Sequence, residues 1–212
     1  MSEATRTMFL FHKPSNEEVR QHLQRWEDTL FSYIHVGCTR GGELPGFNRD
    51  HQRVLLGHGE ETFRRACQAI RTWQMLPPSV VQVSPHDAPL TEGTTVAILF
   101  HARLFGCWLV LPTRIIYTID EATSFGFAYG TVQGHWEQGE ERFLIEWDHS
   151  DDSVWYDLLA ISRPRHPLAW LGYPYVRYQQ ARFRRLTAEV MQAVDKTCLP
   201  ATDLPETLSA PY

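Results

Sequence analysis

The chain has 212 residues, 43% of them hydrophobic, which is enough to bury a core and fits one domain more comfortably than two. Its 20 basic residues stand against 25 acidic ones, net −5 with neutral histidines, so the basic surplus needed to neutralise a nucleic-acid backbone is missing and nucleic acid is disfavoured as a partner. The apolar run Met8 to Phe11 is too short for a secretory core, and no later run approaches the ~20 residues of a membrane span.

The first periodic segment is Ser15 to Phe31, where Val19, Leu23, Trp26 and Leu30 recur at helical spacing behind a Ser15 N-cap, followed by Glu17 and Glu18. The spacing predicts an amphipathic helix. Its exit, Tyr33 to Phe47, is rich in glycine and reads as an irregular segment; Thr39 to Asp50 is either a cover over a pocket or an ordered connector. A short strand Val54 to Leu56 follows, then a helix from Glu60 carrying Phe63, Ala66, Cys67, Ile70 and Trp73, stopped by Pro77 and Pro78. Strands are predicted over Val80–Val83, Thr94–His101, Trp108–Ile119, Phe125–Val132, Arg142–Trp147 and Val154–Ser162, separated at hairpin-like intervals. A final helix, about Tyr175 to Lys196, has Val176, Phe183, Leu186, Val190 and Val194 on one stripe, and Pro200 and Pro205 mark a loose tail.

This order, strand, helix, six strands, long helix, predicts an α+β helix-grip fold, a curved antiparallel sheet wrapped on the C-terminal helix, and so resembles START/Bet v 1-like proteins. The expected division is an N-terminal helix and glycine-rich covering segment (1–52), the helix-grip domain (53–198) and the tail (199–212), together one structural domain. A sheet curled around one helix leaves room for a cavity, and such cavities hold apolar ligands oriented by a few polar groups. Phe125, Phe127 and Tyr129 alternate with Gly126, Ala128 and Gly130, a strand with one bare face that either the terminal helix or a ligand must approach closely.

The four cysteines, Cys38, Cys67, Cys107 and Cys198, are far apart and have neither a C-x-x-C pair nor a histidine cluster beside them. They read as reduced thiols in a soluble, cytoplasmic protein without a metal site. The glycines at Gly57, Gly59, Gly126 and Gly130 lack dinucleotide spacing and Ser162 sits in S-R-P rather than a nucleophile elbow, so no cofactor is implied.

Three groups of residues carry candidate chemistry. At the hairpin after Gly130, His135 faces Glu140, Glu141 and Arg142 across the turn. One reading makes His135 and a carboxylate an acid/base pair; the simpler one makes Glu141 and Arg142 a salt bridge and leaves His135 an exposed turn residue. His101, Arg114 and Asp157 lie inside apolar strands, where each is either an outer-face residue or a cavity group. Arg114 and Tyr129, if they share the concave face, would anchor a carboxylate or phosphate head.

The elements Y-I-H-V-G-C-T at Tyr33–Thr39, L-P-G-F at Leu44–Phe47, L-G-H-G at Leu56–Gly59, F-A-Y-G-T-V-Q-G-H at Phe127–His135, G-E-E-R-F at Gly139–Phe143 and S-R-P at Ser162–Pro164 resemble uncharacterised protein family 0548, a domain of unknown function. The resemblance spans most of the chain, continuing through Leu171 to Pro174 and a glutamine-containing helix with Gln179. It implies no settled activity. The element order is also similar to the START and polyketide-cyclase superfamily, whose members bind lipids, sterols or polyketides and sometimes catalyse on them.

Together these readings give an expected binder of a small apolar or amphipathic molecule between sheet and C-terminal helix, with Arg114, Tyr129, Gly126, Gly130, His101 and Asp157 as candidate ligand contacts. The alternatives are a cyclase- or hydrolase-type enzyme using Tyr129, His135 and Glu141 in that cavity, and an interaction protein with a filled core. Oligomeric state is left open.

Overall fold

The computed structural model describes residues 8–42, 44–165 and 171–196; the expected tail 199–212 and Cys198 lie outside the described residues. The chain runs β1 (Met8–Leu10), α1 (Asn16–Trp26), β2 (Asn48–His58), α2 (Gly59–Arg71), β3 (Val81–Ser84), β4 (Thr95–Ala102), β5 (Cys107–Asp120), β6 (Ser124–Thr131), β7 (Glu137–Asp148), β8 (Ser153–Pro164) and α3 (Tyr173–Lys196). The strands form one antiparallel sheet in the order β2-β8-β7-β6-β5-β4-β3, with β1 paired to the first half of β5. Hairpin connectivity from β3 to β8 makes sequence neighbours spatial neighbours, and β2 closes the far edge by pairing with β8.

Side-chain alternation gives the sheet two covered faces. On the concave face, Phe127, Phe143, Ile145, Tyr156 and Leu158 are fully buried against Ala66 and Ile70 of α2 and Met191 of α3. Thr187 of α3 locks the helix in place by contacting the Tyr156 hydroxyl at 3.0 Å. This packing fills only one end of the concave face. On the convex face, α1 buries Val19 and Trp26 against Ala97, Leu99 and Val110, and Cys38 packs on Leu159 and Ile161 with Leu44 and Phe47 at the rim.

The N-terminal helix starts as expected: Ser15 and Glu18 form a reciprocal capping box, Glu18 N–H to Ser15 Oγ at 3.2 Å and Ser15 N–H to Glu18 Oε2 at 2.8 Å. It ends at Trp26 instead of Phe31 because Arg114 takes its terminal carbonyls, donating to Trp26 O and Glu27 O at 2.6 Å and to Thr29 O at 2.9 Å. β2 begins at Asn48, earlier than the Arg53 boundary expected for the sheet, because Asn48 to Gln52 pair with Ser162 to Leu158 of β8. The apolar run at Met8 is itself an edge strand.

The segment from Tyr33 to Thr39 is held down by one carboxylate. Glu140, 3% exposed, accepts from the Tyr33 hydroxyl at 2.8 Å, the Thr39 amide at 3.0 Å, the Thr39 hydroxyl at 2.9 Å and the Gly37 amide. Arg142 adds a bond to Thr39 O at 3.2 Å. Tyr33 to Thr39 is therefore held in order on the convex face, while Asp50, at the far end of the expected covering segment, lines the concave side. A Cβ on Gly130 would sit 2.2 Å from the Tyr33 hydroxyl, and one on Gly126 would sit 2.1 Å from Phe143 O. Tyr33 and the neighbouring strand are what approach the bare face of β6, not the gripping helix or a ligand.

Replacing Glu140 with glutamine puts an amide NH2 where donors converge. The variant is expected to lose about 3 kcal/mol in urea unfolding and to be cut by trypsin after Arg40 faster than the parent. Unchanged stability with unchanged cleavage would show that the segment is held by something else.

Candidate functional site

Where the concave face is not filled by α2 and the second half of α3, a cavity of about 970 Å³ opens between β3, β4, β5, the start of β7 and the first half of α3. Ile98, Phe100, Leu109 and Leu111 form its sheet wall and Val176 and Phe183 its helix wall. Phe9 of β1 extends the sheet wall and meets Trp136 edge-on at 4.6 Å between ring centroids. The lining is apolar save for one end.

That end is built by alternation along β7, which carries Glu137, Gly139 and Glu141 on the cavity side and Glu140 and Arg142 on the outer side. Glu141 is cross-strand from Tyr129, whose hydroxyl donates to Glu141 Oε2 at 2.5 Å. Glu137 Oε1 accepts from Gln180 Nε2 at 2.6 Å, and Gln180 also reaches Ser162 Oγ at 3.4 Å. Asp50 of β2 takes a bidentate pair from Arg177 (2.5 and 2.8 Å) and a third contact from Arg184 at 3.1 Å. The His135 ring lines the cavity and is anchored through Nδ1, 3.0 Å from the Glu137 amide N.

Burial dominates the acidity of these groups. Removal from water pushes the Glu141 carboxyl up to about 7 against the opposing pull of the Tyr129 hydrogen bond. It pushes Glu137 up to about 7 as well, with the Glu141 charge adding in the same direction. His135 is driven the other way, down to about 4, so its ring is neutral at pH 7. The Tyr129 phenol is raised by burial and then by Glu141.

Of the residues singled out from sequence, Tyr129, His135 and Glu141 converge in this cavity. The simpler reading of the hairpin is thereby corrected: Glu141 does not pair with Arg142, which donates to Asp157 Oδ1 at 2.7 Å on the other face, and His135 is half-buried. Arg114 caps α1 and bonds Thr95, sharing the convex face with Gly130, its Cα partner, so it anchors no ligand beside Tyr129. His101 stacks on Trp108 at 4.6 Å, outside the cavity. Asp157 is buried in an ionic cluster with Arg142 and with His51 Nε2 at 2.6 Å. Gly126 and Gly130 contact protein, as described above.

Sequence reasoning missed Glu137, Asp50, Gln180, Arg177 and Arg184. Glu137 was legible in principle, since it shares strand parity with Glu141, but only if β7 is begun at Glu137 instead of Arg142. The others come from elements whose facing is fixed only by tertiary packing.

A curved antiparallel sheet gripping a C-terminal helix around an apolar cavity is a helix-grip fold of START/Bet v 1-like type. The solved structure of a hypothetical protein from Helicobacter pylori shares this fold, with a TM-score of 0.51 at 12% identity over 72% of this chain and 91% of that one. Residues 32–190 match the family described as "Domain of unknown function (DUF1990)", and the chain belongs to that family. Among similar proteins, a "UPF0548 protein" from Dictyostelium discoideum is 32% identical over 197 residues, covering 83% of this chain and 90% of its own. Another "UPF0548 protein", from Deinococcus radiodurans, is 34% identical over 195 residues, covering 87% and 97%. No described helix is long and apolar enough to cross a membrane.

The raised carboxyls fix a pH dependence. A carboxyl whose folded pKa lies near 7 binds more protons in the folded than in the unfolded state from about 4.5 to 7, so its ionisation lowers stability as pH rises through that window. His135 acts oppositely between about 4 and 6.5, since the folded state binds fewer protons there. Comparing the parent with an E137Q/E141Q double variant isolates the carboxyls: the variant should gain roughly 2 kcal/mol for each carboxyl on the parent between pH 5 and 8 in parallel urea titrations. A difference that is flat with pH would show the two carboxyls to be ordinarily acidic.

Proposed function

We propose that the chain binds a small, mainly apolar molecule carrying one polar end, held between the sheet and the first half of α3. The observation that supports this reading is the cavity of about 970 Å³, apolar in all but the cluster of Tyr129, Glu137, Glu141, His135 and Gln180 at one end. Its volume lies in the range of ligand sites, and the combination of broad apolar walls with a few converging polar groups is how such sites orient a ligand. A filled core, as an interaction protein would have, does not fit a space of this size.

A second reading, an acid/base enzyme of cyclase or hydrolase type, has one observation in its favour. Glu141, with its carboxyl near 7 and the Tyr129 hydroxyl on it at 2.5 Å, has the acidity that suits proton transfer near neutral pH. The two readings separate on whether a captured molecule is returned chemically changed.

The test is native mass spectrometry of the protein purified from its own organism, together with uptake of the neutral dye Nile red. One retained small molecule per chain, or saturable one-to-one dye uptake, is expected. Ala160→Trp, which fills the cavity from β8, should weaken that uptake about tenfold or more. No retained mass, no dye uptake and no thermal shift across a panel of lipids and metabolites would defeat the binding reading.

A further inference from the structure

The polar end of the cavity has a donor and acceptor balance that restricts what can sit against it. Tyr129, Gln180, Arg177 and Arg184 turn donors onto protein: Tyr129 O–H to Glu141, Gln180 N–H to Glu137 and Ser162, Arg177 and Arg184 to Asp50. The Thr131 hydroxyl, further along the lining, contacts Gly139 O at 3.3 Å. Acceptors are left over. Each of Glu137 and Glu141 uses one carboxyl oxygen in these bonds, and Gln179 Oε1, on a residue lining the cavity, is buried with no hydrogen-bond partner among the described residues. A buried acceptor without a donor costs stability that a ligand's N–H or O–H would recover.

Charge points the same way. The cluster sets the acids Asp50, Glu137 and Glu141 against the two arginines, and both arginines converge on Asp50. An anionic head would meet two carboxyls, while the two arginines nearby, Arg177 and Arg184, are already engaged with Asp50. A cationic head would meet two carboxyls whose ionisation it favours.

We infer that the ligand of this cavity is an amphipathic amine, an aliphatic or aromatic body with a protonated nitrogen seated among Glu137, Glu141 and Gln179. The inference rests on the binding reading proposed for this cavity. Glu137 and Glu141 then act together as binding residues. The ammonium draws both toward the carboxylate form, so binding near pH 7 releases protons from the protein. The titratable and charged groups facing the pair are Tyr129 of β6, Tyr156 of β8, Asp50 of β2, Arg177 and Arg184 of α3, and His135 with Arg165 beyond it. Of these the tyrosines are raised and His135 is neutral at pH 7, so the proton release traces to the carboxyls.

The experiment uses three probes of one chain length, decylamine, decanol and decanoate, displacing Nile red from the full chain at pH 7. Decylamine is expected to displace at about tenfold lower concentration than decanol, with decanoate weakest. In E137Q/E141Q the preference for the amine over the alcohol should be lost, the ratio of the two displacing concentrations falling to about one. Calorimetry in two buffers of different ionisation enthalpy should show proton release for decylamine and none for decanol. Decanoate binding as tightly as decylamine overturns the inference, as does an unchanged amine-to-alcohol ratio in a folded double variant or the absence of proton release. Those results leave decanol in the cavity and the binding reading intact; failure of all three probes to displace or bind removes both. Should the double variant not fold, the probe series and the proton count on the parent decide alone.

Discussion

The carboxylate of Glu140 is the contact on which the rest of this architecture depends. It lies on the outer face of β7 and gathers Tyr33, Gly37 and Thr39 from a segment that, by composition, has little tendency to order itself. A loop of that glycine content loses much backbone entropy when it is fixed, and several charge-assisted hydrogen bonds to one buried acceptor offset the loss. The consequences spread outward from that point. Tyr33 needs the space above Gly130, which is why β6 has no side chain there. Thr39 passes the network to the Tyr117 hydroxyl at 2.8 Å, and Arg40 lies over the Tyr117 ring at 4.3 Å. Cys38 is buried beside Leu159 and Ile161, its thiol pushed up to about 12 by burial, an inert packing group.

The inner face solves a different problem. A sheet of this length curls into a trough that one helix cannot fill, and here α2 with the second half of α3 closes one end as a dense core. The other end has only the first half of α3 over it and stays hollow. Dispersion contacts forgone along such a cavity wall lower stability, and so do carboxyls raised by burial, so the hollow end lowers the stability that the solid end provides. A cavity that was merely a packing fault would more cheaply be apolar throughout. The two glutamates and the glutamine at its polar end are the feature that the proposed binding reading rests on.

Much of this was legible in the sequence because it depends on local pattern. Period-two alternation gave the strands from β3 to β8, helical periodicity with a Ser15 cap gave α1, and element order gave the curved sheet on a terminal helix. Facing was harder. The bare face of Gly126, Ala128 and Gly130 correctly announced a close neighbour, but at Gly126 it is the adjacent strand and at Gly130 a tyrosine nearly a hundred positions upstream, out of reach of any local rule. Arg114, His101 and Asp157 were ambiguous for the same reason: alternation divides a strand into two faces without saying which is concave. Irregular register at Ile115/Tyr117 in β5 and at Leu55/Gly57 in β2 then shifts parity within a strand, so faces cannot be carried along by counting. The candidate site was half readable, through Tyr129, His135 and Glu141, and the half supplied by β2 and α3 depends on where those elements dock.

Glu140 and Glu141 are consecutive, and that adjacency joins the two faces. Side chains that alternate across one strand share a backbone, so fixing the outer carboxylate in its ring of donors also fixes the height and rotation at which the inner one meets Tyr129. A hydrogen bond of 2.5 Å to a buried carboxyl tolerates little displacement before it weakens, and the cavity offers no other donor to Glu141 from the cluster described. The outer brace is thus a positioning device for the inner acid. Glu137 lies beyond Gly139, whose positive φ and close approach to Ile161 O let β7 stay paired to β8 while turning that second carboxyl into the same space. The chain thus carries its two cavity-facing carboxyls on the strand that is held from outside by Glu140, so the outer network limits how far the inner groups can move.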